Sequence, residues 1–457
     1  MLKKTCLITA PLGATFKALL INEEFFDTLR TKFDEIHVVT TLSETEVKKV
    51  MEGVNDEDIF YHYYNNHKLG FWPRIYVQIS FLSFGLCYKL KVFDVKMVDG
   101  SITIAQKLLL ILLKIPGIIL GYGRIFRFSE RMKYNTIHDQ FIANVIKKVK
   151  PAVVMASAIS FTFDYPVIME AFRKKIPILG MVHSWDNITT KGPIYYEFEK
   201  VIVWNEFQKN ELLKYYNYSE NQIEMVGIPQ IDLLINNQKY DKKRLFDEIG
   251  IDIKTKLISY MTIAPKLCPF DNKIIGLLLK QLNKIKEPWH FRVRLHPQDR
   301  IEHYQEFKNN SKISFELVSD RSKRVLDGMS FQKGDIFHYG ELLTNSDIVL
   351  SVGSTVAIEA VTLGTPFIHL KFDDKLRAFR ESVTRFYQYE HMQYVLNFKA
   401  YEVAESPKKT IELIQKYLKD PNRLKKEREY AIKKINYNMD GKAGKRIAKL
   451  IGEYSND

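Results

Sequence analysis

Short apolar runs alternate with amphipathic stretches along most of the chain. Leu7–Ala10 and Ile36–Thr41 read as buried strands, and apolar residues recur at helical spacing over Phe16–Phe33. A Lys-rich helix ends near Lys150 and runs into Pro151. Strand Ala152–Ala158, helix Pro166–Lys175, strands Ile178–His183 and Val201–Trp204, helix Phe207–Tyr216 and strand Ile223–Val226 follow. The polar stretch Asn236–Asp252 interrupts the pattern and reads as a linker. Beyond it come strand Leu257–Met261, helix Ile274–Ile285, strands Phe291–Leu295, Ile313–Val318 and Ile348–Val352, helix Val356–Leu363 and strand Phe367–Leu370.

Repeated strand–helix alternation implies parallel sheets with right-handed crossovers. The expected fold class is α/β: two Rossmann-like doubly wound domains facing a cleft, with a helical C-terminal tail. The expected boundaries are 1–235, 253–406 and a basic tail over 407–457. Ligands in such sheets sit beyond the carboxyl ends of the strands, at the switch in strand order.

One insertion, about 67–133, does not fit the alternation. Its segment Leu108–Leu113, continuing through Ile118, Ile119 and Leu120, is the most apolar in the chain. A spanning helix needs about 20 uncharged apolar residues. Lys107, Lys114 and Arg124 interrupt, and Pro116-Gly117 is expected to break the helix. Two readings stay open and are compatible. One is core helices packed on the first sheet. The other is an interfacial patch, with Trp72 and the aliphatic residues dipping into headgroups beside Arg124, Arg127, Arg131 and Lys133.

Composition narrows the class. Of 457 residues, 46% are hydrophobic and 27% charged, which excludes a disordered chain and a polytopic membrane protein. Lys and Arg total 68 against 54 for Asp and Glu, a formal +14 that favours anionic partners. No zinc-finger or RNA-binding signature is present, so nucleic acid is not expected. Three dispersed cysteines, Cys6, Cys87 and Cys268, build neither a disulfide framework nor a thiolate metal site, and suit a reducing cytosol. The apolar run near the N-terminus is too short for a secretory signal and reads as a first strand.

Three loops carry candidate chemistry. Asp347–Val352 leads through Gly353 to Ser354 and Thr355 at a helix start, where amides and hydroxyls suit a phosphate. Glu359 lies one turn on and suits a ribose hydroxyl. Arg292–Leu295 ends in His296-Pro297, where Arg294 and His296 suit phosphate oxygens. Gly180–Val182 opens onto His183-Ser184-Trp185-Asp186-Asn187; His183 or Asp186 suits a general base and Trp185 a stacking face for a sugar or base. Lys266, after the first strand of the second domain, suits phosphate, and Gly13 lies in the loop that follows the first strand and opens a helix. Asp373-Asp374 lacks further ligands, so no metal is expected.

His296-Pro297 and Ser354-Thr355 resemble the HP and Ser-Ser or Ser-Thr motifs of GT-B transferases. The similarity is to the CDP-glycerol glycerophosphotransferase branch and to bacterial sialyl- and Kdo-type transferases. Gly227-Ile228-Pro229-Gln230-Ile231-Asp232 resembles their G-x-P-x-x-D interdomain segment, and also a segment of UDP-GlcNAc 2-epimerases. The resemblance covers roughly 152–373. Glycerophosphotransferases show His-Gly-Thr-Pro-Leu-Lys where this chain has 183–187, and Asp-Tyr-Ser-Ser where it has 352–355. These departures favour sugar transfer over polyol-phosphate transfer.

The resemblance implies a GT-B glycosyltransferase. With no acidic metal motif at a strand end it is expected to be metal-independent, and direct displacement with a base on the acceptor side would invert the anomeric centre. A nucleotide-activated sugar would lie near Lys266, Arg294, His296, Gly353, Ser354, Thr355 and Glu359. A surface-glycan or lipid-linked acceptor would lie near Gly13, His183, Trp185 and Asp186. The expected location is the cytoplasm, at the inner face of the membrane, in peripheral contact with anionic lipid. CDP-glycerol-type transfer and nucleotide-sugar 2-epimerisation are the alternatives.

Overall fold

The computed structural model describes residues 3–11, 13–64, 68–194, 197–236, 239–317 and 333–455. The chain divides into two units: Met1–Asp232 with Asn436–Asp457, and Leu233–Ile435.

The first unit is built on a parallel sheet. Its strands are β1 (Thr5–Ala10), β2 (Glu35–Thr40), β3 (Ile59–Tyr63), β4 (Val153–Ala156), β5 (Ile178–Met181), β6 (Lys200–Val203) and β7 (Ile223–Met225). The spatial order is β3-β2-β1-β4-β5-β6-β7, with every pair parallel. β1 and β4 are buried along their whole length, as strands covered by helices on both faces must be. The order reverses between β1 and β4, so the loops after these strands diverge and leave the ligand edge open.

The second unit repeats the plan with β8 (Lys256–Met261), β9 (Trp289–Arg294), β10 (Ile313–Glu316), β11 (Ile348–Ser351), β12 (Phe367–Leu370) and β13 (Glu402–Ala404). Its order is β10-β9-β8-β11-β12-β13, again all parallel, with the switch between β8 and β11. Ile258, Tyr260, Phe291, Val293, Leu350 and Ile368 form the centre of its core. The expected strand over 313–318 ends at Glu316, and Val318 lies outside the described residues.

Several expectations are corrected. Phe16–Phe33 is not one helix: a π-helical turn, Phe16–Leu20, precedes helix Glu23–Arg30, which starts after Asn22. The supposed linker holds helix Lys242–Ile249, capped by Asp241 at its start and by Gly250 at φ 77° at its end. Caps at both ends outweigh its poor apolar content. Helix Ile104–Leu120 runs through Pro116, and the chain breaks instead at Gly121, φ 81°. A single proline costs a helix one hydrogen bond without forbidding its continuation. Strands β3 and β13, short and at sheet edges, escaped the pattern.

The C-terminal tail is not a unit of its own. Helix Pro407–Lys419 packs beside β13 in the second unit, whereas helix Ala443–Gly452 packs on Glu23–Arg30 in the first. Asp232 holds it there: its carboxylate accepts the amides of Ala443 at 3.1 Å and Gly444 at 2.7 Å, and the Asn22 side-chain amide at 3.3 Å. Gly227 is at φ 89°, and a Cβ there would lie 3.0 Å from the Asn436 carbonyl. Gly227 and Asp232 therefore serve the return of the tail.

Candidate functional site

At the switch point of the second sheet, β11 runs into residues 352–355 and then helix Val356–Thr362. The Ser351 hydroxyl donates to the Met261 carbonyl at 2.7 Å, stitching the end of β11 to the end of β8. Gly353 allows close packing, because a Cβ there would lie 3.2 Å from the Met392 methyl. The Gly353 N–H is bonded to the Tyr387 hydroxyl at 3.1 Å rather than open to a phosphate, which corrects its expected role. Ser354 Oγ accepts the Val356 N–H at 3.3 Å, whereas Thr355 makes no side-chain cap. The Thr355 hydroxyl is therefore not committed to the helix end.

Glu359 does not simply face outward beside Thr355. The Tyr339 hydroxyl donates to its Oε2, and the Arg294 guanidinium stacks 5.1 Å from the Tyr339 ring centroid. Arg294 also pairs with Glu316. Burial draws the Arg294 pKa down to about 10, so it remains a cation at neutral pH. Arg294 and Glu359 thus belong to one cluster centred on Tyr339, a residue that no spacing singles out.

His296 is held by its neighbours. Its N–H donates to Thr262 Oγ1 at 2.7 Å, and its carbonyl accepts the Asp299 N–H at 2.8 Å. Its Nδ1 accepts the Gln298 N–H at 3.1 Å, which in the neutral ring leaves the proton on Nε2. Asp299 is buried and receives the Tyr304 hydroxyl at 2.5 Å and the Thr262 hydroxyl at 3.4 Å. It forms the base of the His296-Pro297 turn, and the His-Pro-Gln-Asp run was the signal for it. Lys266 is exposed on the loop after β8. The loops after β8, β9 and β11 therefore carry Lys266, His296, Ser354 and Thr355 along one sheet edge. A cavity of about 560 Å³ on the same edge is lined by Lys371, Phe379, Thr384, Tyr387, Gln393 and Glu405.

In the first unit, the loop after β5 closes into a tight turn. Ser184 N–H donates to Asn187 Oδ1 at 3.0 Å, and Asp186 receives the Thr190 hydroxyl at 2.7 Å and the Asn187 side chain at 3.1 Å. Both Asp186 carboxylate oxygens are thus engaged within the turn. His183 is buried, and its Nδ1 has no hydrogen-bond partner. Burial pushes its pKa down to about 4, against the pull of Asp186. The ring is neutral at physiological pH and has an uncommitted nitrogen. Trp185 is buried and offers no open stacking face, a correction to its expected role. Gly13 opens the short helix Gly13–Thr15 after β1 and is buried too.

Sequence reading missed two residues here. Lys96, from the insertion, donates through Nζ to the Thr190 carbonyl; burial and the nearby Lys191 charge lower its pKa to about 8. Asp164 lies buried at the β1–β4 switch, where its carboxylate accepts the Ala158 N–H at 2.8 Å. Burial raises its pKa to about 7. Neither residue sits in a recognisable spacing. Among the described residues, no three His, Cys, Asp or Glu side chains gather as a metal site.

Two doubly wound parallel sheets, each with its loops gathered at a switch point, are the GT-B class of transferase fold. Solved structures agree in fold. MnaA from S. aureus, in a co-structure with UDP, superposes with a TM-score of 0.57 at 13% identity, covering 99% of this chain and 96% of that one. MurG from Acinetobacter baumannii gives 0.50 at 10% identity, covering 99% of each. The chain belongs to the CDP-glycerol:poly(glycerophosphate) glycerophosphotransferase family, whose profile matches residues 182–453. A curated relative, the teichoic acid glycerol-phosphate primase of Bacillus subtilis strain 168, is 26% identical over 202 residues, 44% of this chain. The chain spans about half, 46%, of that relative's length. The departures at 183–187 and 352–355 therefore do not remove the chain from the family, since both lie inside the matched region.

Proposed function

We propose that the protein transfers a polyol phosphate of the glycerol-phosphate type from a nucleotide-activated donor to a hydroxyl of a surface-glycan or lipid-linked acceptor. The observation that carries this reading is the family match over 182–453, which includes the loops of His183, His296 and Ser354. It moves polyol-phosphate transfer ahead of sugar transfer.

The donor diphosphate would bind at the edge of the second sheet. His296 Nε2–H, Lys266 and the Thr355 hydroxyl would meet its phosphates, with Ser354 shaping the loop. Arg294 and Glu359, joined through Tyr339, would hold the β9 and β11 ends in register. The neutral His183 ring would accept the acceptor proton. The acceptor oxygen then bonds to the distal phosphorus, the bridging P–O bond breaks, and the nucleoside monophosphate leaves with the electron pair. Cations and hydrogen-bond donors stabilise that leaving group without a metal. Asp186 orders the loop that carries His183.

The second reading, inverting transfer of a sugar with release of a nucleoside diphosphate, is favoured by the same two loop departures. The released nucleotide separates the readings. With CDP-glycerol, CMP release that requires acceptor supports the first. Nucleoside diphosphate release from UDP- or GDP-sugars, with CDP-glycerol untouched, supports the second. Turnover of no nucleotide-activated donor overturns both. A lipid-linked acceptor implies work at the inner face of a membrane, which the insertion supports.

A further inference from the structure

The loop that carries His183 is held from outside. Helix Asn187–Thr190 is a single turn, so its carbonyls find few partners within it. Four side chains from other elements donate to carbonyls between residues 183 and 190. Gln230 Nε2 reaches that of His183 at 3.0 Å, and Gln208 Nε2 that of Ser184 at 3.0 Å. The Tyr216 hydroxyl reaches that of Ile188 at 3.0 Å, and Lys96 Nζ that of Thr190. Gln208 is itself fixed, because its Oε1 accepts the Trp204 N–H at 2.7 Å. A loop tied at four carbonyls is ordered before any substrate arrives, which is what a base in a group-transfer step requires.

Lys96 differs from the other three donors. It is charged, and it comes from helix Lys91–Val98 of the insertion. A second contact from the insertion supports it. A Cβ on Gly192 would lie 3.3 Å from the Phe81 ring, and that ring's centroid is 5.3 Å from Lys96 Nζ. The Thr190 carbonyl ends its turn, where a cation is a stronger partner than a neutral donor. From there a chain of bonds leads back to His183. The Thr190 hydroxyl donates to Asp186 at 2.7 Å, the Asn187 side chain donates to Asp186 at 3.1 Å, and Asn187 Oδ1 accepts the Ser184 N–H at 3.0 Å.

We propose that Lys96, as the ammonium ion, is a positioning residue for the transfer step: it locks the turn 187–190, and through Thr190, Asp186 and Asn187 the His183 ring, in the arrangement that takes the acceptor proton. The inference rests on the reading of His183 as the base and goes beyond it by naming what holds the ring in place. The charged groups that face Lys96 are Lys191, Asp186 and Asp99. Burial, and after it the Lys191 charge, pull the Lys96 pKa down to about 8 against Asp186 and Asp99. The two glutamine amides do not titrate, and burial holds the Tyr216 phenol well above its ordinary value. Raising the pH through about 8 therefore loosens one of the four ties and leaves the other three.

Histidine ring spectra of the full chain, with His183 assigned through His183→Gln, test the tie without donor or acceptor. The His183 ring is already neutral at pH 7, so a shift of its signals with a midpoint near 8 reports Lys96. That shift should vanish in Lys96→Met and in Lys96→Arg. In acceptor-dependent donor turnover, kcat should fall on the alkaline side with the same midpoint. The donor KM should stay level, since the donor residues lie in the second unit. Lys96→Met should lose about 10–100-fold in kcat and show no alkaline limb. Lys96→Arg, a cation at every accessible pH, should recover most of that loss and keep it past about pH 9. Wild-type His183 signals that stay fixed as the pH passes 8 overturn the proposal. So does an unchanged kcat in Lys96→Met, or a Lys96→Arg variant as slow as Lys96→Met. Ring signals that titrate as expected in a protein that turns over no nucleotide-activated donor would leave the Lys96 tie standing and sink the transferase reading.

Discussion

The Tyr387 hydroxyl accepts the Gly353 N–H at 3.1 Å and donates to the Leu370 carbonyl at 2.8 Å. One phenol thus ties the loop after β11 to the end of β12 and stands where a phosphate was expected. Tyr387 and Leu370 are buried, so the Leu370 carbonyl has no ready substitute in water. Tyr387→Phe should destabilise the second unit by about 1–3 kcal/mol, the cost of an unsatisfied buried group. A lowered urea midpoint checks this. Weaker binding of CDP and UDP in calorimetry should accompany it.

Ser354→Ala with Thr355→Ala should weaken nucleotide binding at least tenfold. A hydrogen bond to a charged group is worth about 1.5–3 kcal/mol, and tenfold requires only about 1.4. Thr355→Ala should carry most of the loss, because Ser354 Oγ is already engaged with the Val356 N–H. Unchanged affinity in both single variants would remove this loop from the donor site.

The pKa of His183 has a sign that kinetics can read. Its neutral form is the base, and its pKa lies near 4 rather than 6.5. Turnover should therefore stay level as pH falls through the usual histidine range and decline only near about pH 4–5. The stability linkage has the same direction. The folded state binds this proton less readily than the unfolded chain, so stability from this group is complete above the unfolded pKa and is lost as pH falls through the folded one. An acid limb centred near 6.5 that His183→Gln abolishes would contradict the placement.

Lys133 and Glu130 are 1% and 0% exposed, and the Ser80 and Tyr134 hydroxyls also donate to Glu130. Removing one ion strands the other. Lys133→Met should cost about 3–5 kcal/mol. Adding Glu130→Gln should recover part of that loss, measurable as a partial return of the thermal midpoint.

Turnover should survive excess EDTA. The motive is the array of Lys266, His296 and Thr355 on one sheet edge, where cations and hydrogen-bond donors take the role of a divalent ion. Loss of activity restored by magnesium or manganese would overturn this.

The alternation of apolar runs and amphipathic stretches determined two parallel α/β sheets, because burial on both faces writes continuous apolar strands and helical spacing between them. It also located the loops that follow β5, β9 and β11, since strand ends and the residues after them are local. Three features lay beyond it. Helix Ala443–Gly452 returns to the first unit because Asp232, far away in sequence, accepts its first amides. Tyr387, Tyr339 and Asp299 shape the donor edge through contacts that no spacing encodes. The apolar run over 108–120 was legible as apolar, but the side facing protein was not. Only packing decided that Leu110 and Leu113 turn inward while Ile111, Ile115 and Ile118 remain exposed. Local pattern determines which element forms; the partner of each face depends on residues distant in the chain, and those the tertiary structure alone brings together.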